Sequence, residues 1–157
     1  MTIRILGIDP GSRITGFGII DIQSRKATYI TSGCIRLKTD AMPVRLNEIF
    51  ESVNKIIEQY QPSILSIEQV FVYRNAASAL KLAQARAVAI VAAMQHSLSV
   101  YEYAPTKIKQ TIVGTGHADK VQVQQMVKLL LNLPGTPQAD AADALAIALC
   151  HSHHSSY

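Results

Sequence analysis

Four carboxylates stand where a folded chain would ordinarily place apolar or neutral side chains. Asp9 follows the run Leu6-Gly7-Ile8, and Glu68 follows Leu65-Ser66-Ile67. Asp140 and Asp143 are three residues apart, set among Ala139, Ala141, Ala142, Ala144 and Leu145, with no Lys or Arg within one helical turn. On a helix that spacing puts both on one face. Carboxylates gathered at an apolar edge repel one another and are poorly solvated, so they take up protons or bind cations. Oxygen donors without His or Cys select hard ions such as Mg²⁺ or Mn²⁺. Two such ions ~3.5–4 Å apart make a phosphodiesterase, one activating the attacking water and the other stabilising the leaving 3′ oxygen.

Taken singly, each residue has a plainer explanation. Asp9 can shape the Asp9-Pro10-Gly11 turn. Glu68 can be a solvated strand end. Asp140 suits the first turn of any helix, where the dipole favours an acid. Asp143 is harder to explain alone, because it faces the same way as Asp140. The chemistry therefore depends on elements that bring the four together.

Ile3 to Ile8 is a short apolar run stopped by a turn, as expected of a buried strand. Thr15 to Ile22 and Ala27 to Leu37 extend it into a meander. From Pro43 to Tyr60 the period changes: Leu46, Ile49, Phe50, Val53, Ile56 and Ile57 mark one face of a helix,. Ser63 to Glu68 is a fourth strand. Asn75 to Ser97 is an Ala-rich helix, apolar on nearly every side, which must be covered by core or by a second subunit. Val100 to Tyr103 is a fifth strand. Pro105 opens a short helix to about Val113. A loop holding Gly114 and His117 precedes a helix from about Asp119 to Leu131. Thr136-Pro137 is expected to cap a last helix ending near Leu149. Strands joined through helices pair in parallel, whereas a meander is antiparallel. The expected fold class is α/β, a mixed five-stranded sheet flanked by helices on both faces. Asp9 and Glu68 would then emerge at the carboxyl edge of neighbouring strands, where α/β proteins place their sites.

The chain has 157 residues, 48% of them hydrophobic, which suits one domain with one core,. We expect that domain over 1–151 and a flexible tail over 152–157, the latter including His153 and His154 of a terminal His cluster that lacks zinc-ligand spacing. Cys34 and Cys150 form no CxxC pattern and are read as buried thiols of a reducing compartment. No apolar run of ~20 residues and no signal peptide is read, so a cytoplasmic location is expected. The net charge of +4 permits an anionic partner such as nucleic acid,.

Several blocks resemble the RuvC family of Holliday junction resolvases. They are Gly7-Ile8-Asp9-Pro10-Gly11, Thr15-Gly16-Phe17-Gly18, Ile67-Glu68-Gln69-Val70-Phe71 and the block from Gln138 to Ala146. The segments Ala79 to Arg86 and Lys109 to Gly114 match as well. The resemblance runs from the first strand to about His151. It implies a ribonuclease H-like fold, a homodimer, and two Mg²⁺ per site with DNA bound, Mn²⁺ being a substitute. The metal ligands would be Asp9, Glu68, Asp140 and Asp143. It further implies paired symmetric nicks in a four-way DNA junction, leaving 5′-phosphate and 3′-hydroxyl ends, preference for a short T-rich sequence, and work beside the RuvA–RuvB branch-migration complex. By matching motif, Phe71 resembles an aromatic that stacks on a base at the opened junction. Lys109 and Lys120 resemble basic residues near the scissile phosphate, Lys120 with a catalytic role. Arg74, Lys81 and Arg86 are candidate phosphate contacts, with ordinary surface charge as the alternative.

Other functions compete with this one. An ATPase of the actin–sugar kinase class opens on a similar strand and turn, but needs two such lobes. A junction binder without cleavage would not need all four carboxylates. A ribonuclease H acting on RNA–DNA hybrids is nearer, and the Phe71 region and the Asp140-to-Asp143 block distinguish the resolvase from it.

Overall fold

The computed structural model describes residues 1–72 and 75–157. Its strands are β1 (Ile3–Asp9), β2 (Ile14–Gln23), β3 (Lys26–Arg36), β4 (Ile64–Glu68) and β5 (Ser99–Tyr103). Its helices are α1 (Met42–Tyr60), α2 (Ala76–Gln95), α3 (Pro105–Val113), α4 (Lys120–Leu130) and α5 (Ala139–His154). The strands form one sheet in the order β3-β2-β1-β4-β5. β1 pairs antiparallel with β2 and parallel with β4. β2 and β3 are antiparallel, and β4 and β5 parallel. The expected mixed sheet is thus present, with β1 at its centre.

Alternation along β1 divides the core in two. Leu6 and Ile8, with Ile19, Leu65 and Ile67, face α1 and α2. Ile5, with Ile20, Ile22 and Ile64, faces α3, α4 and α5. The last helix is the most deeply embedded, buried continuously from Ala144 to His151. Its seat is made of glycine. A Cβ on Gly7 would overlap the Ala144 carbonyl, and one on Gly16 would overlap the carbonyl of Asp140. Gly7 and Gly16 lie on neighbouring strands, in a register that pairs Asp9 with Gly16. The small residues Ala141, Ala144 and Ala148 complete the close approach from the helix side. Ser66, fully buried on β4, donates to the Ile147 carbonyl at 2.9 Å and ties the helix to a third strand.

Several expected boundaries move. α5 is capped by Gln138, whose side chain accepts from the backbone N–H of Asp140 and of Ala141. Thr136-Pro137 is not the cap. The helix continues through His151 to His154 rather than ending near Leu149, so residues 152–154 are helical. His151 is fully buried, because Tyr103 and Tyr157 close over it and bond to both its ring nitrogens, each at 2.6 Å. Of the two thiols, Cys150 is buried and Cys34 only partly so.

α2 is not covered all round. Ala85, Ala89, Ala92 and Ala93 pack against the core, while Leu80, Val91 and Met94 are 66%, 52% and 58% exposed. By length and apolar composition α2 would reach across a membrane, contrary to the reading that no run is long enough. Its buried alanine face makes it instead the outer helix of this layer.

Candidate active site

Asp9 is the last residue of β1, and Glu68 the last of β4. The parallel register pairs Ile8 with Ile67, so the two carboxylates leave adjacent strands at the same level. The turn after Asp9 is held by Thr15, a buried residue whose hydroxyl donates to the Gly11 carbonyl at 2.8 Å. The same oxygen accepts from the Gly11 N–H at 3.2 Å. Thr15 therefore shapes the turn, and Asp9 is left to face the site.

The glycine seat brings the first turn of α5 over the same edge. One carboxylate oxygen each from Asp9, Asp140 and Asp143 lies within 4.8 Å of the others. Glu68 stands beside this trio, joined to Asp9 by a side-chain hydrogen bond. All four predicted carboxylates are thus brought together, Asp9, Asp140 and Asp143 most tightly.

The electrostatics follow from burial and crowding. Burial, then the charges of Asp143, Glu68 and Asp140, push the Asp9 carboxyl from its ordinary 3.8 up to about 8. Lys120 opposes that rise. Burial also raises Glu68, with Asp143 adding to it and Lys109 working against it. Asp143 is raised by burial as well, while Lys120 pulls it back. The protonated form of Asp9 is thereby favoured, in keeping with its hydrogen bond to Glu68,. A buried carboxyl that must be protonated to be tolerated is equally relieved by a cation. The donors are oxygen throughout, so the trio can hold a hard divalent ion.

The carboxylates open into a cleft of about 260 Å³. Asp9, Glu68 and Asp143 line one side, and Lys109 of α3 and Lys120 of α4 line another. Lys120 is the first residue of α4. Its place is set by a capping box in which Asp119 accepts from the Gln122 N–H and the Gln122 side chain accepts from the Asp119 N–H,. The cleft thus sets carboxylates able to hold a cation against two ammonium groups, an arrangement that suits a phosphodiester.

The other candidates fall in different places. Phe71 lies three residues past Glu68 and is 47% exposed, so it is not a core residue. Lys81 is exposed on α2. Arg74 lies outside the described residues. Arg86 is placed differently from a free phosphate contact. Its Nη2 pairs with Glu102 Oε1 at 2.6 Å and its Nε donates to the Glu68 carbonyl at 2.9 Å. It is drawn inward by the backbone of β4 and an acid on β5. His117 is exposed in the loop before α4. Gly7, Thr15 and Gly16 stand in the matching blocks without an individual role, and Ser66 has none in the sequence pattern; the structure gives each one a part in seating α5 or the turn after Asp9. The glycines had a visible signal, since Gly16 and Gly18 alternate on one face of a strand.

A five-stranded mixed sheet in this order, with acids at the ends of its first and fourth strands and on its last helix, defines a nuclease of ribonuclease H-like fold. Residues 5–151 match the family model described as Crossover junction endodeoxyribonuclease RuvC. The chain is 62% identical over 149 residues to the crossover junction endodeoxyribonuclease RuvC of Sodalis glossinidius, covering 95% of this chain and 86% of that protein. Identity to its counterpart from Pseudoalteromonas atlantica is 60%, with the same coverage. T. thermophilus RuvC in complex with Holliday junction substrate superposes with a TM-score of 0.89 at 32% identity, over 97% of this chain and 94% of that one. The yeast mitochondrial Holliday junction resolvase Ydc2 shares the fold at 11% identity, with a TM-score of 0.67 over 96% of this chain and 79% of that one. The chain belongs to the RuvC family of crossover junction endodeoxyribonucleases.

Proposed function

We propose that this nuclease resolves Holliday junctions at the cleft described above, with Asp9, Glu68, Asp140 and Asp143 holding two Mg²⁺ ions once DNA is bound. The observation that carries this reading is the convergence of three carboxylate oxygens within 4.8 Å, beside Glu68 and facing two lysines. Bound Mg²⁺ would supply an activated water and stabilise the leaving 3′ oxygen, and Mn²⁺ would serve in its place. The product ends are a 5′-phosphate and a 3′-hydroxyl. Asp9 would give up its proton on holding an ion,. Lys120 compensates the charge that builds on the phosphate in the transition state. Lys109 orients the same phosphate from the opposite helix.

Phe71, half exposed just beyond Glu68, stacks on a base of the opened junction, worth ~1–3 kcal/mol. Lys81 and Arg74 are carried forward as phosphate contacts from the family pattern. A homodimer is supported by the outer face of α2. Leu80, Val91 and Met94 are exposed there, and Leu46, Phe50 and Val88 line an apolar groove with Val91. Two sites in one dimer would nick two strands symmetrically. Cytoplasmic work alongside the RuvA–RuvB complex, and preference for a short T-rich sequence, are carried forward from the family pattern.

The test is incubation with a mobile four-way junction, a linear duplex and an RNA–DNA hybrid, each with and without Mg²⁺. Paired nicks in the junction alone, and only with the ion, are expected. Preferential cutting of the hybrid would make this a ribonuclease H activity instead.

A further inference from the structure

Gln138 stands at the start of α5 and does more than cap it. Its Oε1 accepts from the backbone N–H of Asp140 at 2.7 Å and of Ala141 at 3.0 Å. The thiol of Cys34 donates to the same oxygen at 2.9 Å. These three donors settle which way the amide faces, since its NH₂ group could not accept them. The NH₂ group is thereby turned toward Asp140, and Nε2 donates to Asp140 Oδ2 at 2.8 Å.

The setting gives this bond a purpose. Pairing runs across three strands from Asp9 to Gly16 to Cys34. The Asp140 backbone rests on Gly16, in the middle of that row. Its position is therefore fixed by close contact, but the rotation of its carboxylate is not. The terminal torsion of an aspartate is broad and has no strong preference of its own. Neighbouring acids would drive that carboxylate outward, away from Asp9 and Asp143. A neutral donor whose amide oxygen is itself held by three donors opposes this without adding a cation that would compete for the site.

We propose that Gln138 is a positioning residue for the metal-holding carboxylate of Asp140, with Cys34 anchoring it from β3. The inference rests on the reading of Asp9, Asp140 and Asp143 as a metal centre. Partners that orient a ligand in this way typically change metal affinity 10–100-fold when removed.

Capping and positioning can be separated. Gln138→Ser keeps an oxygen that accepts the α5 backbone bonds, but its side chain ends at that oxygen and has no second arm for Asp140. Gln138→Ala loses both. The measurement is calorimetric titration of Mn²⁺ into DNA-free protein, alongside thermal melting and steady-state junction cleavage. Gln138→Ser should melt with the wild type, bind Mn²⁺ about tenfold more weakly, and lose kcat with KM for the junction unchanged. Gln138→Ala should lose Mn²⁺ affinity similarly and also melt earlier. Wild-type Mn²⁺ affinity in Gln138→Ser would overturn the positioning role and leave the metal centre standing. A wild-type protein that binds no Mn²⁺, either alone or with junction DNA present, would remove the metal centre, and this inference with it.

Discussion

The two ends of α5 bury polar groups in opposite ways. At its C-terminal end His151 is fully enclosed and satisfied. Tyr103 and Tyr157 bond its two nitrogens, and Tyr101 lies against the ring, centroids 4.3 Å apart. At its N-terminal end Asp140 and Asp143 meet Asp9 with like charges unresolved. One end is completed by the fold, whereas the other gathers carboxylates that a cation would neutralise. Evolution tolerates a half-satisfied buried network where function requires it. The contrast separates a fully buried polar cluster that the fold satisfies from a partly exposed one that it leaves open to a cleft.

Breaking the unresolved end should have the largest catalytic effect. Asp9→Asn is expected to lower cleavage by roughly three orders of magnitude, ~4 kcal/mol of barrier. Junction binding should survive, because shape and phosphate contacts supply it. A gel-shift and a cleavage assay on one preparation check both halves, and full nicking by the variant would remove Asp9 from the mechanism.

The seat between the two ends comes next. Gly7→Ala places a methyl against the Ala144 carbonyl, so α5 must lift or tilt. We expect a loss of ~1–3 kcal/mol in chemical denaturation, with cleavage impaired even where the protein remains folded. An unchanged midpoint would mean that the helix is not held this closely.

The ends also respond oppositely to pH. Asp9 is raised from 3.8 to about 8. In metal-free protein the folded state therefore holds a proton that the unfolded chain has released. That stability is complete below about pH 4 and lost as pH climbs to about 8,. His151 is lowered by burial, with the charge of His154 adding to the effect. Its contribution is therefore present above its ordinary value of 6.5 and lost as pH falls below it,. Asp9→Asn should flatten the alkaline decline, giving a variant a few kcal/mol more stable than metal-free wild type near pH 8. An alkaline decline as steep in the variant as in wild type would show that Asp9 is not its source.

The smallest effect lies at the satisfied end. Tyr157→Phe removes one partner of His151 and should cost ~1 kcal/mol, seen in the denaturation midpoint with cleavage unaltered.

Much of this was legible in the sequence because local pattern and chemistry coincided. Asp9 and Glu68 each end a short apolar run, and Pro105 opens α3 as its fixed φ suggests,. Other features were hidden because their partners are distant in the chain. Thr136-Pro137 is a better cap by residue type than Gln138, yet Cys34 and Asp140 decide the matter from 104 and two residues away. Arg86 resembles any exposed helical arginine until β4 and β5 bring Glu68 and Glu102 to it. His151 sits in a polar terminal run, and only the tyrosines of β5 and residue 157 reveal it as core. The apolar sides of α2 were visible, but one chain does not cover them.

A divalent ion is expected to replace the proton that burial, and then the charges of Asp143, Glu68 and Asp140, favour on Asp9. Calorimetric titration of Mg²⁺ or Mn²⁺ into DNA-free protein, repeated at pH 7 in two buffers of different ionisation enthalpy, counts the protons displaced. About one proton should leave per site as the ion enters, with affinity rising from pH 6 toward pH 8 and then levelling, as Asp9 loses its proton at about 8. Binding that releases no proton, with equal affinity at both ends of that range, would show that ion and proton do not compete for Asp9.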